Sequence, residues 1–439
     1  MRHSHYDEAS FVPFHLRVCI AGTAGVFADG FGLGIIGIAL SLAAAPLRLD
    51  RFGLGLLGGA SLAGLFVGAL LAGPMADRLG RRPLFAYNMI VLALVSAAQF
   101  LVETGTELLL LRLCVGFLLG TDYVVSKAML TEFIPRRFRA RILGQLSVAW
   151  AGGYACAYAV GFGLSGRGAA SWRWMLLSSA LPALLIAPIR WTLPESPLWL
   201  VSRGRRPEAA RVVRDCLGAG VLPPASGLLR PRAASRWREL FAPRWRTRTL
   251  VACTFFACQV VPYFALGTFV TQVMVALHLQ GGYVGGLVYN GALFAGAIGG
   301  VVLVDRMPRR VFLIGSFTLA AAALLLLSAL PAAPAALMIA LFALFAGVIS
   351  AASNLVYVYL PELFPTGLRA SGIGLAIAAS RIGSAASTFV LPVVVDAYGA
   401  RTALGACVVV LIAGGWVCQR WAPETRHVPL ESLDEAECA

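Results

Sequence analysis

Lysine is almost missing from this chain: of 36 Lys and Arg residues, Lys127 is the only lysine, and it stands inside an apolar run. Charge of either sign is scarce, at 13% of residues, against roughly 25% in soluble domains. Hydrophobic residues make up 59% and mean hydropathy is +0.79, so lipid is the expected solvent. The phosphate loop of P-loop ATPases needs Gly-x4-Gly-Lys; the single lysine follows Ser126, which excludes that use of ATP. None of the five histidines lies deep in an apolar run, and no Cys-x-x-Cys pair occurs among the nine cysteines. No nucleophile, base and acid come together in any recognisable pattern. Enzyme chemistry, a metal and a cofactor are therefore not expected, and the cysteines read as small core thiols.

What the chain has is long apolar runs. Twelve are of spanning length, at 16–45, 53–73, 84–103, 107–129, 141–163, 172–193, 248–278, 283–304, 311–330, 333–360, 370–395 and 399–420, each near the ~20 residues that cross a ~30 Å hydrocarbon layer. The first run is too long for a signal-peptide core and holds an Asp, so no cleavable leader is expected. The polar gaps between runs repeat. Asp77-Arg78-Leu79-Gly80-Arg81-Arg82 is echoed by Asp305-Arg306-Met307-Pro308-Arg309-Arg310, at an offset of 228. Glu132-Phe133-Ile134-Pro135 with Arg139 is echoed by Glu362-Leu363-Phe364-Pro365 with Arg369, at an offset of 230. Pro194-Glu195-Ser196 is echoed by Pro423-Glu424-Thr425, at an offset of 229. Three landmarks in one register imply a duplicated six-span unit, an architecture built for two bundles that rock about a central site. The expected fold is an all-α membrane protein of twelve transmembrane helices in two pseudo-symmetric bundles. The bundles are 1–193 and 248–439, the latter with a short tail, joined by a linker at 194–247 with a short amphipathic helix near Pro207–Leu217.

The net charge of +15 invites a nucleic-acid partner, but the charge is dispersed among the spans. Twelve arginines fall between Arg203 and Arg248, and others in the repeated loops, all on the side of the amino terminus. The opposite gaps carry few: Arg48, Arg51, Arg167 and Arg401. Cytoplasmic loops hold the excess Lys and Arg, which places both termini in the cytoplasm of a bacterial inner membrane and leaves no role for nucleic acid.

Gly73-Pro74-Met75-Ala76-Asp77-Arg78-Leu79-Gly80-Arg81-Arg82 resembles the loop between spans two and three of the major facilitator superfamily. Arg112, Gly116 and Gly120, the Glu-x-x-Pro segments, and Pro194-Glu195-Ser196-Pro197-Leu198-Trp199-Leu200 are similar to its sugar-porter-related branch. That branch includes metabolite and aromatic-acid proton symporters and synaptic-vesicle-protein-2-like members. The resemblance implies alternating access driven by a proton gradient, and a cytoplasmic gate of Gly73, Asp77, Arg78, Arg81, Glu132 and Arg139 with Asp305, Arg306, Glu362 and Arg369. Physically, Gly73 would let backbones approach and Gly80 would permit the turn. Ion pairs there would strengthen when closure desolvates them. Topology signals alone are the other reading. The second loop has Pro308 where the first has Gly80.

Charges inside spans are costly and by default functional. Asp29, Arg112, Asp122 and Lys127 all lie in the first half, and the repeat maps them onto uncharged residues. Arg112 precedes Glu132 by 20 residues, roughly 30 Å of helix, so it can meet Asp29 in the middle to outer half. The resemblance implies that an acid of span one neutralises the span-four Arg until protonation frees it. In this chain Gly32 occupies the usual position of that acid and Asp29 stands one turn earlier. Proton binding at Asp29 and a structural buried pair with Arg112 both remain open. At 100° per residue, Arg112, Gly116, Gly120, Tyr123 and Lys127 form one stripe, with Asp122 turned away from it. Lys127 either snorkels towards the cytoplasm or faces a cavity and attracts an anion.

In the second half, Gln259, Tyr263, Asn354, Tyr357 and Arg381 are candidate substrate contacts, with Pro262 expected to break span seven. The chain lacks the span-seven double glutamine and span-ten tryptophan of many sugar porters. The expected function is therefore proton-coupled uptake of a small organic anion or zwitterion, by a protein active as a monomer. Proton-driven export of a drug, siderophore or metabolite is the alternative within transport. A non-transporting receptor or scaffold is the alternative of another class.

Overall fold

The computed structural model describes residues 4–6, 9–168, 170–218, 220–222, 237–277, 282–330, 333–364 and 366–426. The first half contains α1 (Pro13–Ala43), α2 (Arg51–Leu79), α3 (Arg81–Ala98), α4 (Gly105–Phe133), α5 (Arg136–Leu164), and a sixth span broken into α6 (Ser171–Ser178) and α7 (Ala180–Trp191). Two short helices follow, α8 (Pro197–Ser202) and the amphipathic α9 (Arg206–Leu217). The second half repeats the plan. Span seven is α10 (Arg246–Thr268) with α11 (Val270–Ala276), then come α12 (Gly282–Arg306) and α13 (Arg309–Ala329). Span ten is α14 (Ala335–Ala352) with α15 (Leu355–Glu362), followed by α16 (Thr366–Tyr398) and α17 (Ala400–Trp421). Among the described residues, eleven helices are long and apolar enough to cross a membrane. The twelfth, α5, opens on Arg136, Arg137, Arg139 and Arg141.

Local chemistry sets the helix ends. Asp50 caps α2 by accepting from the Gly53 N–H at 2.7 Å. Thr104 and Glu107 close a reciprocal capping box at the start of α4, satisfying donors that the first turn would leave orphaned. Gly80 separates α2 from α3 with φ +105°, a conformation that disfavours side-chain-bearing residues. Pro262 does not break span seven. The helix runs through it, and the break falls at Phe269. Neighbouring helices absorb what a proline frees in a buried span.

Packing within the first half is closest between α2 and α4. A Cβ at Gly116 or Gly120 would collide with the backbone of Ser61 or Leu65, the small-residue contact that lets membrane helices touch. Leucines on the outer surface, such as Leu94, Leu101 and Leu185, are exposed as lipid-facing side chains should be. Between halves, α2 packs on α16 and α5 on α12. The specific contacts cluster on the face away from the termini: Arg51 Nε to Asp396 Oδ1 at 2.9 Å, Phe52 edge-on to Phe389, and Tyr158 with Thr271 at 2.8 Å.

Candidate substrate and coupling site

At the middle of the molecule a cavity of about 80 Å³ lies between the halves. Asp29, Tyr123, Trp150, Tyr263, Phe264, Tyr357 and Arg381 line it, together with Ser147, Ser350, Ser353 and apolar side chains. The first half contributes from α1, α2, α4 and α5, the second from α10, α14, α15 and α16. Trp150 packs on Tyr154, Tyr263 and Phe264 at centroid distances of 5.2, 5.8 and 5.9 Å, giving the cavity an aromatic wall.

Two cations stand beside that wall. Lys127 Nζ sits 3.5 Å from the Tyr123 ring centroid and 4.7 Å from that of Tyr357. Arg381 lies 5.7 Å from Tyr123 and 5.8 Å from Phe264, with its Nε buried and unpartnered. Lys127 therefore points between the halves, into a ring clamp, rather than along α4 to the face. Lys127, Gln259 and Asn354 are not among the residues that line the cavity itself. Gln259 Nε2 donates to the Ile349 carbonyl and to Ser353 Oγ. Asn354, at the α14–α15 break, donates to Ala297 and Ala351 carbonyls and accepts from Ser147 Oγ at 2.5 Å. That last bond ties span ten to α5 of the other half.

The expected Asp29–Arg112 pair is not formed in this structure. Arg112 Nη2 donates to the Gly32 carbonyl at 3.1 Å, while its Nε and Nη1, and both oxygens of Asp29, have no hydrogen-bond partner. Asp29, three residues before Gly32, is directed about 60° round α1 from it. There it meets a buried ion pair that the spacing did not reveal, Asp122 of α4 with Arg190 of α7. Asp122 was expected to turn away from the Lys127 stripe, and Arg190 is what it turns towards. Gly25 makes room for the pair, since a Cβ there would fall on Arg190 Nη2. Arg190 was legible only as a charge inside the sixth apolar run, where a position near the end suggests snorkelling. Trp150 was legible only as one of three aromatics at a spacing of four, with Tyr154 and Tyr158.

The repeated loops build the same device twice on the face of the termini. In the first half Arg81 bridges Asp77 at 3.1 Å and Glu132 at 3.3 Å, and Arg139 Nε donates to the Ile134 carbonyl. Glu195 accepts from the backbone N–H groups of Arg81 and Arg82, capping α3 with a negative charge where its dipole favours one. In the second half Arg309 meets Glu362 at 3.6 Å, and Glu424 accepts from the N–H groups of Arg309 and Arg310. Arg426 donates to the carbonyls of Arg306 and Asp305. The Arg369 side chain lies outside the described residues. These ion pairs each lie within one half in this conformation. Gly73 has open space around its Cβ position and so makes no close approach in this conformation, and Arg78 is exposed. Partial burial pushes the Glu424 carboxyl up, but hydrogen bonds from the backbone of Arg310, Arg426, Arg309 and Thr425 hold it below the usual range.

Two six-helix halves around a central cavity, with ionisable groups in mid-membrane, define a secondary transporter of the major facilitator type. The family described as sugar (and other) transporter matches residues 18–436. The inner membrane metabolite transport protein YgcS of Escherichia coli K12 is 38% identical over 97% of this chain and 95% of its own length. The putative metabolite transport protein YaaU of the same organism is 36% identical over 97% of this chain and 96% of its own. The inward-open structure of the xylose transporter XylE from E. coli shares the fold, with a TM-score of 0.79 at 18% identity over 96% of this chain and 99% of that one. The chain belongs to the sugar (and other) transporter family, a sugar-porter-related branch of the major facilitator superfamily. Its relatives are named as transporters, not enzymes.

Proposed function

We propose that this transporter carries a small organic anion or zwitterion, preferentially one with an aromatic ring, by proton symport into the cell. The observation that carries this reading is Arg381 with the rings of Tyr123, Tyr357 and Phe264 on one cavity wall, and Lys127 held on the rings of Tyr123 and Tyr357. Cations in a low-dielectric site attract a carboxylate strongly, and flat aromatic walls favour a flat ligand. A neutral polyol would need hydrogen-bonding amides on the wall, and neither Gln259 nor Asn354 is there. Among relatives at 26% identity, one from Acinetobacter baylyi is named a niacin transporter and one from Bacillus subtilis a myo-inositol transporter; niacin, an aromatic carboxylate, is the better chemical match to this wall. The arginine-rich face and the inner-membrane name of the YgcS relative support cytoplasmic termini and an inner-membrane location. On that orientation, contacts gathered on the opposite face make this an inward-facing conformation.

The test is uptake into proteoliposomes from a panel of nicotinate, benzoate, nicotinamide, myo-inositol and xylose, with and without an inward proton gradient. Preference for the two acids, raised by the gradient, supports the reading. Preference for the polyols, or gradient-driven expulsion, overturns its substrate or its direction.

A further inference from the structure

Arg190 is fully committed. Its five N–H groups meet five acceptors: the carbonyls of Ala21 and Phe85, both oxygens of Asp122, and Ser126 Oγ. Ser126 Oγ in turn donates to Asp122 Oδ2 at 2.9 Å. Asp122 and Arg190 are both completely buried, so they cancel each other's charge and leave nothing for a third group. Asp29, 3% exposed, is that third group. Its carboxyl lies within the electrostatic reach of Asp122 and Arg190, yet no donor reaches either of its oxygens. An ionised carboxylate so placed would be desolvated without compensation. A carboxylic acid there has an acceptor for its proton in Asp122.

We propose, resting on the proton coupling proposed above, that the transported proton is shared between Asp29 and Asp122, with Arg190 as the fixed counter-charge that positions Asp122. Two carboxyls cannot both ionise beside a single committed arginine, so the set holds one proton and is neutral: an acid, a carboxylate and a guanidinium. Asp29 lines the cavity and is the member that exchanges its proton there. Losing the proton leaves a net negative charge, and Arg112 of α4, held by the Gly32 carbonyl with Nε and Nη1 idle, is the unpaired cation that a change of conformation would bring to it. Tyr123, Tyr263 and Tyr357 present phenols to the same cavity, Arg381 and Lys127 lie on the ring cluster, and α5 presents Trp150 and Tyr154 without a charge.

The experiment needs no substrate. Dicyclohexylcarbodiimide attacks protonated carboxyls in apolar surroundings, and mass spectrometry of the full-length protein in proteoliposomes gives the pH of half-labelling at Asp29. Asp122→Asn frees Arg190 to favour ionised Asp29, so half-labelling should move down by about one pH unit or more. Arg190→Gln leaves Asp122 uncompensated and should move it up by a similar amount, about one unit. The double variant is neutral again and should return towards the wild-type value. Should Arg190→Gln fail to fold, Asp122→Asn and Ser126→Ala carry the test, the latter with a smaller downward shift because it idles one Arg190 N–H. Unshifted half-labelling in folded Asp122→Asn, or no labelling of Asp29 at any pH, overturns the shared-proton site. If the shifts appear but wild-type uptake of nicotinate and benzoate ignores the proton gradient, the shared-proton site stands and the coupling reading falls.

Discussion

The two halves agree at their loops and differ in their interiors. Arg81, Glu132 and Glu195 have working counterparts in Arg309, Glu362 and Glu424, down to a glutamate capping the helix that follows each loop. Inside the membrane the likeness ends. The repeat sets Asp29 against Ala257 or Cys258, Arg112 against Leu341 or Phe342, Asp122 against Ala352 and Arg190 against Cys418 or Gln419. Both members of the buried pair are missing from the second half together, as they must be, since either alone would be an uncompensated charge. The loops serve a task both halves share, tying helix ends into rigid bodies. The interior serves tasks that differ: the first half holds the acids, and the second supplies Arg381 and the rings of Tyr263, Phe264 and Tyr357 that complete the cavity.

That division can be broken by substitution. The largest effect is expected at Arg112, where Arg112→Ala leaves deprotonated Asp29 without a cation and should stop gradient-driven uptake, while Phe342→Ala, the matched change in the second half, should cost mainly packing. Next comes Lys127→Gln, expected to weaken binding of the preferred acid by about tenfold, roughly 1.4 kcal/mol, and to leave its amide analogue unaffected. Titration of tryptophan fluorescence with nicotinate and nicotinamide reads the difference, and equal losses for both would return Lys127 to a structural role. Glu195→Gln and Glu424→Gln should each cost about 1 kcal/mol, the scale of a lost helix cap, measurable as thermal unfolding in detergent. An effect confined to one of them would show that the loops, too, have diverged. The smallest effect concerns pH. Because the folded state holds Glu424 below its ordinary range, its contribution is present above roughly pH 4.3, the unfolded value, and is lost as pH falls through the lowered folded one. Glu424→Gln should flatten that part of the stability curve.

Much of this plan was legible in the sequence because lipid imposes simple rules. Spanning runs, arginine placement and the offset of near 229 residues fix twelve helices in two halves without reference to packing. Tyr123, Tyr263, Tyr357, Arg381 and Asp29 could be chosen for the cavity because polar groups in a span face inward or fail. Pairings were harder. Asp122 and Arg190 are 68 residues apart, joined only by the way α4 and α7 flank α1, and no spacing within one helix announces that. The proline expectation failed at Pro262, where span seven runs on and breaks at Phe269 instead, and the loop ion pairs of this conformation lie within each half.

The central claim is that coupling chemistry resides in the first half, at Asp29. Its most direct test compares wild type and Asp29→Asn in proteoliposomes, measuring both gradient-driven accumulation and counterflow exchange of the preferred panel acid. The account predicts that Asp29→Asn loses uphill accumulation while exchange persists, because the neutral side chain mimics the protonated acid and leaves the cavity intact. Undiminished uphill accumulation in Asp29→Asn would contradict it.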